Sequence, residues 1–138
     1  MPNVVYNAFK MNLTSGNVNL NTDTVSMLLV SGAYTFSHTH EVTGDLSSEI
    51  VSAGYDLGGV PLANPSVTLD GVDDEVVLDA DDVVLSGLTT DLQYAIVYVS
   101  GASNATSYLI GQVDLGAQSL SNTDLTIAWN SEGIFNLM

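Results

Sequence analysis

The chain has 138 residues, 46% hydrophobic and 12% charged; 16 acidic residues face a single base, Lys10, and arginine and cysteine are absent. A formal charge of -15 argues against binding to nucleic acid, where affinity comes from Lys and Arg displacing counterions, and against docking on an anionic membrane. Without cysteine there is no disulfide framework and no thiolate metal site, which suits a reducing compartment.

One domain covering residues 1–138 is expected, since domains commonly run about 100–150 residues. The apolar fraction suits a globular core rather than a disordered acidic tail. Met1–Tyr6 lacks the basic and apolar regions of a signal peptide, and no apolar run approaches the ~20 residues of a membrane-spanning helix. The sequons at Asn12 and Asn104 carry weight only in a glycosylating pathway.

Taken in order, Val5, Phe9 and Leu13 recur at helical spacing, predicting a short helix over Val4–Met11 that Gly16 terminates. Thr24–Ser31 reads as a strand with both faces apolar, hence a central strand or one at an intermolecular contact. A polar loop, Thr35–Asp45, follows and holds His38 and His40. Leu57–Ala63, with Gly58, Gly59 and Pro61, fits a turn or an edge. Ser66–Leu69 is a short strand, and Asp70-Gly71 signals a hairpin. Glu75–Leu78 and Val83–Leu85 flank the acidic run Asp79–Asp82 and read as two strands around one turn.

Leu92–Ser100 is the strongest strand, with Tyr94, Ile96 and Tyr98 on one face and Ala95, Val97 and Val99 on the other. Gly101–Ala105 is a loop. Tyr108–Leu115 and Leu125–Asn130 complete the β set, with Leu125, Ile127 and Trp129 sharing a face. The pattern predicts an all-β protein: a single β-sandwich, with a jelly roll as candidate topology, plus a short N-terminal helix.

The acidic residues Asp70, Asp73, Asp74, Glu75, Asp79, Asp81 and Asp82 could hold Ca²⁺. EF-hand spacing is missing, however, and Asp favours turns on its own account, so a solvated structural role is expected. His38 and His40 form an H-x-H pair whose expected role is a polar surface or subunit contact rather than metal ligation. No nucleophile elbow or phosphate loop occurs, and no enzyme activity, metal or cofactor is expected. The aromatics read as core packing, with Tyr34 and Tyr55, in loop contexts, as candidate sugar-stacking exceptions.

Tyr6–Lys10, Asp23–Val30, Gly32–Ser37, Glu41-Val42, Gly54–Gly59, Asp79–Val83, Tyr94–Tyr98, Ile127–Trp129 and Gly133–Phe135, in this order, resemble a family of small tailed-bacteriophage virion structural proteins. The resemblance runs nearly end to end and rests on order and spacing. It implies a virion component without catalytic residues: a capsid decoration (cement) protein or a small tail-associated one, assembled in the host cytoplasm with the major capsid protein or other virion proteins as partner. The chain departs from the pattern in lacking a basic residue near the end of Val42–Ser52. The near-absence of Lys and Arg suggests a saline host. Strong charge would keep such a protein dispersed until it meets a shell, leaving apolar burial or β-augmentation to supply binding. The expected contacts lie in the N-terminal segment (Val4, Val5, Tyr6, Phe9) and the C-terminal one (Ile134, Phe135, Leu137, Met138). A homo-oligomer is expected, with a trimer as one candidate because capsid lattices offer threefold and quasi-threefold sites. A tail or fibre protein contacting the host surface, and a carbohydrate- or calcium-binding module, are the alternatives.

Overall fold

The computed structural model describes residues 3–129 and 133–137. Its elements are mostly antiparallel strands with one short helix, as expected of an all-β chain. Strand β1 (Asn3–Val5) leads into helix α1 (Asn7–Ser15). Then come β2 (Val25–Val30), a single 3-10 turn at Thr43–Asp45, β3 (Val60–Pro61), β4 (Ser66–Asp70) and β5 (Glu75–Asp79). The long strands β6 (Val83–Val99) and β7 (Tyr108–Ile127) and the short β8 (Phe135–Leu137) complete the fold. Two sheets result, one of five strands in the order β1-β7-β6-β2-β3 and one of three in the order β4-β5-β8.

The helix begins later than its apolar spacing suggests. Val4 and Val5 instead pair with Gln112 and Gly111 of β7, in keeping with the preference of consecutive β-branched residues for extended backbone. Gly16 closes α1 in the left-handed region at φ 83, donating its N–H to the Asn12 carbonyl; glycine takes that conformation without steric penalty.

β2 is buried at all six positions, which follows from its place between β6 and β3 with both faces covered. On one face Val25, Met27 and Leu29 join Ala95, Val97, Val99, Ile110 and Val113 in the main core, with Leu78, Ile134 and Phe135 supplied by the smaller sheet and its approach. This face-to-face contact makes the sandwich. On the other face Leu28, Val30, Ile96, Tyr98 and Leu109 form a second core with Tyr6 and Tyr34, against which Phe36 and Leu46 of the β2–β3 connection pack. The connection is therefore a cover for the sheet's second face rather than a free loop.

Two pairs of expected strands merge. Val83–Leu85 and Leu92–Val99 lie on one strand, β6, and Tyr108–Leu115 and Leu125–Ile127 lie on another, β7. Their ladder shifts register at several points, among them between Leu85 and Leu88 and between Leu92 and Tyr94. Gly87, Gly116 and Asn122 carry positive φ there, so residues that resemble breaks are bulges inside a continuous hairpin. The run Asp79–Asp82 is likewise no hairpin turn, because β5 and β6 belong to different sheets. It carries the chain from one layer to the other. The Asp70-Gly71 hairpin is present, with Ser66 through Asp70 paired to Asp79 through Glu75.

Candidate functional site

The terminal segments split between core and edge. Tyr6, Phe9, Ile134 and Phe135 are almost completely buried, so their side chains are core residues and not contacts offered to a partner. Large apolar groups next to a sheet of this size gain most by packing on it, at roughly 25 cal/mol per Å² buried. Val4 and Val5 are half-buried, and Val5 packs on the main core. The side chain of Leu137 and all of Met138 lie outside the described residues. The backbones of these segments nonetheless form outer strands: β1 borders the larger sheet and β8 the smaller one.

Tyr34 and Tyr55 are buried as well, which removes them as sugar-stacking platforms. Tyr34 Oη shares hydrogen bonds with Tyr6 Oη at 2.7 Å and with His40 Nδ1 at 2.8 Å. Burial pushes the Tyr34 phenol above its usual value, the Tyr6 hydrogen bond opposes this, and the Asp45 charge adds to it. Tyr6 is also pushed up, chiefly by burial and then by its bond to Tyr34. The pair therefore stays protonated and ties the N-terminal segment to the β2–β3 connection. His38 takes a different neighbour from His40, meeting Phe36 edge-on at 4.9 Å.

The acidic residues divide. Asp81 and Asp82 fasten the end of the β6–β7 hairpin: the Trp129 indole donates to the Asp81 carbonyl at 3.0 Å and the Trp129 N–H to Asp82 Oδ1 at 3.2 Å. Asp70 Oδ1 accepts the N–H groups of Val72 and Asp73 within its own turn. Carboxylate oxygens of Asp70, Asp73 and Glu75 lie within 4.8 Å of one another, a grouping that turn chemistry alone produces.

Two features emerge that composition and motifs do not signal. The first is the β4–β5 hairpin. β4 is an outer strand with a neighbour on one side only, and its Leu69 is 81% exposed while Val72 at the turn is 93% exposed. Val67 shares a face with Leu69 and borders a groove with Val18, Leu20 and Val76. Natural edge strands are commonly protected by Lys, Pro or a covering loop; β4 itself contains neither Lys nor Pro. A valine within the polar run Asp70-Gly71-Val72-Asp73-Asp74 was the available signal, because turn chemistry gives it no role there.

The second is a cavity of about 420 Å³ over the second face of the larger sheet, between the β2–β3 connection and the β6–β7 turn. Leu28, Leu46 and Leu57 give it apolar walls, and Glu49, Tyr98 and Asn104 give it polar ones. Glu49 is anchored through one oxygen: Oε2 accepts the Tyr55 hydroxyl and the Gly58 N–H, each at 2.6 Å. Tyr55 in turn accepts the Leu29 N–H at 3.1 Å, linking the cavity wall to the central strand. Burial raises the Tyr55 phenol first, the Glu49 hydrogen bond raises it further, and the Leu29 N–H opposes. Tyr98 donates to the Gly58 carbonyl; burial and then the Glu49 charge push its phenol up, against a hydrogen bond with Ser26. Gly59 seats the segment on β2: at φ 78, a Cβ here would lie 1.8 Å from the Met27 carbonyl oxygen.

Comparison with known proteins returns no match to any family model, curated protein or solved structure.

Proposed function

We propose that this chain is a non-enzymatic structural component of a tailed-bacteriophage particle, a capsid decoration (cement) protein that docks on the assembled shell and stabilises it. The observation that carries the reading is the β4–β5 hairpin, where Leu69 and Val72 project into solvent beside an outer strand on a body of charge -15. An unpaired edge offers main-chain N–H and C=O groups to which another protein's strand can pair, and exposed apolar side chains beside it add buried area. The surrounding charge opposes pairing between free copies, so the edge stays available until a partner surface of other charge is met. The order and spacing of the motifs that resemble small virion proteins support the same reading, with the major capsid protein as partner and the virion as location.

The test is the copy number of the chain in purified particles, measured by quantitative mass spectrometry against the major capsid protein. A number near that of the shell subunits agrees with decoration; a handful or a few dozen moves the chain to the tail or a fibre; absence from particles removes the virion reading. With decoration established, shells carrying Leu69→Ser and Val72→Ser together should bind less protein and melt at a lower temperature than shells decorated with the native chain.

A further inference from the structure

The cavity beside Glu49 is built to take a charge of opposite sign. Glu49 is half-buried and lines the cavity as its one carboxylate. Its Oε2 is saturated by Tyr55 and Gly58, while Oε1 has no hydrogen-bond partner among the described residues. That oxygen is not a buried unpaired atom, so a cation can take it by replacing water, without breaking the bonds to Tyr55 and Gly58. The chain supplies no counter-charge here, since its one base, Lys10, sits on α1 and is not among the residues lining the cavity.

The rest of the lining narrows the chemistry. Calcium takes 6–8 oxygen ligands and gains affinity with the number of carboxylates, and one carboxylate is a poor start. Asn104 adds a carbonyl oxygen, although its Oδ1 already accepts Thr43 Oγ1 at 3.3 Å with one lone pair to spare. Leu28, Leu46 and Leu57 add aliphatic wall. A planar, weakly hydrated cation with several in-plane donors and an aliphatic stem fits this set, and that is arginine. A volume near 420 Å³ leaves ample space for one such side chain.

We propose that the cavity receives an arginine side chain of the protein on which this chain docks, with the guanidinium on Glu49 and the stem between Leu46 and Leu57. The inference rests on the reading of the chain as a docking component, and it specifies what the partner brings. It also separates two tasks: the β4–β5 hairpin offers apolar and main-chain contact on one sheet, and the cavity offers a charge-specific contact on the far face of the other.

The isolated chain, labelled with ¹⁵N and titrated with N-acetyl-arginine amide, tests this independently of any count in particles. The expected result is saturable movement of the Gly58 and Gly44 amide resonances. Glu49→Gln, which retains an acceptor for Tyr55 and Gly58 but removes the charge, should weaken binding by about tenfold or more. Leu57→Arg places a guanidinium on the cavity rim at a residue that is 71% exposed, and should weaken the probe about fivefold or more while the fold is retained; it decides the matter if Glu49→Gln fails to fold. No saturable movement at Gly44 and Gly58, unchanged binding in a folded Glu49→Gln or Leu57→Arg variant, tighter binding of N-acetyl-lysine amide, or saturation of the same resonances by CaCl₂ in competition with the probe would each overturn the assignment.

Discussion

β2 and β4 are both short, but β2 is apolar at five of its six positions and buried at every one, whereas β4 is apolar at two of five and exposed at four. Composition inclines β2 to burial, and the number of neighbours completes the difference. β2 has a strand on each side and a layer over each face, one the smaller sheet and the other the β2–β3 connection. β4 has one neighbour, so Val67 and Leu69 reach the core side of their sheet only at its margin. A strand of the first kind holds the molecule together; a strand of the second kind can be altered without unfolding it, which is what a contact surface requires.

The contrast can be broken most sharply at Gly59. A methyl group there would collide with the backbone of Met27 and Leu28 and enforce a left-handed conformation on alanine, so Gly59→Ala is expected to destabilise by roughly 3–4 kcal/mol, read as a large fall in the urea midpoint. Leu29→Ala, which leaves a void inside β2, should destabilise by about 3 kcal/mol, whereas Leu69→Ala in β4 should change stability by no more than about 0.5 kcal/mol. Equal losses at the two positions would mean that β4 is covered in solution.

Tyr55→Phe probes the link between β2 and the cavity wall. It removes the acceptor of the Leu29 N–H and a donor to Glu49, and should cost about 1–2 kcal/mol by chemical denaturation, because a buried donor is left unpaired. The smallest effect belongs to Asp45. Its exposed carboxyl is held below the usual 3.8 by the N–H groups of Glu41 and then Val42. A depressed folded value means that this contribution is present above the unfolded value and fades as pH falls through the folded one. Asp45→Asn should therefore lower stability slightly at neutral pH and flatten its loss below about pH 4; an identical acid profile would remove Asp45 from the account.

Where side chains alternate cleanly, the chain is readable. Tyr94–Val99 and Val25–Val30 were assignable to two-sided strands from period alone, and the structure places their two faces in two different cores. Legibility fails where glycine and asparagine sit inside a strand: Gly87, Gly116 and Asn122 look like turns and are bulges. It fails again for Tyr34 and Tyr55, whose hydroxyls each bond one residue six positions away and another 28 or 26 positions away, the latter beyond any local pattern. Glu49 carried no motif because its surroundings are assembled from Leu28, Thr43–Leu46, Leu57-Gly58 and Tyr98–Ser107, segments that only the fold brings together. The burial of Tyr6, Phe9, Ile134 and Phe135 was hidden for a related reason. An apolar end looks the same in sequence whether it covers a partner or its own sheet.

Lys10, exposed on α1, is the only position in the sequence after which trypsin can cut. Everything from Met11 onward emerges from a tryptic digest as one large acidic fragment, outside the mass range in which peptides are routinely sequenced. Only the decapeptide Met1–Lys10 falls in that range, so a tryptic inventory of particles rests on one peptide for this chain. Counting it from more than that one peptide calls for cleavage at aspartate, of which the hairpin turn and the Asp79–Asp82 run offer several sites, and the same scarcity makes Lys10 a single side-chain address for an amine-reactive dye.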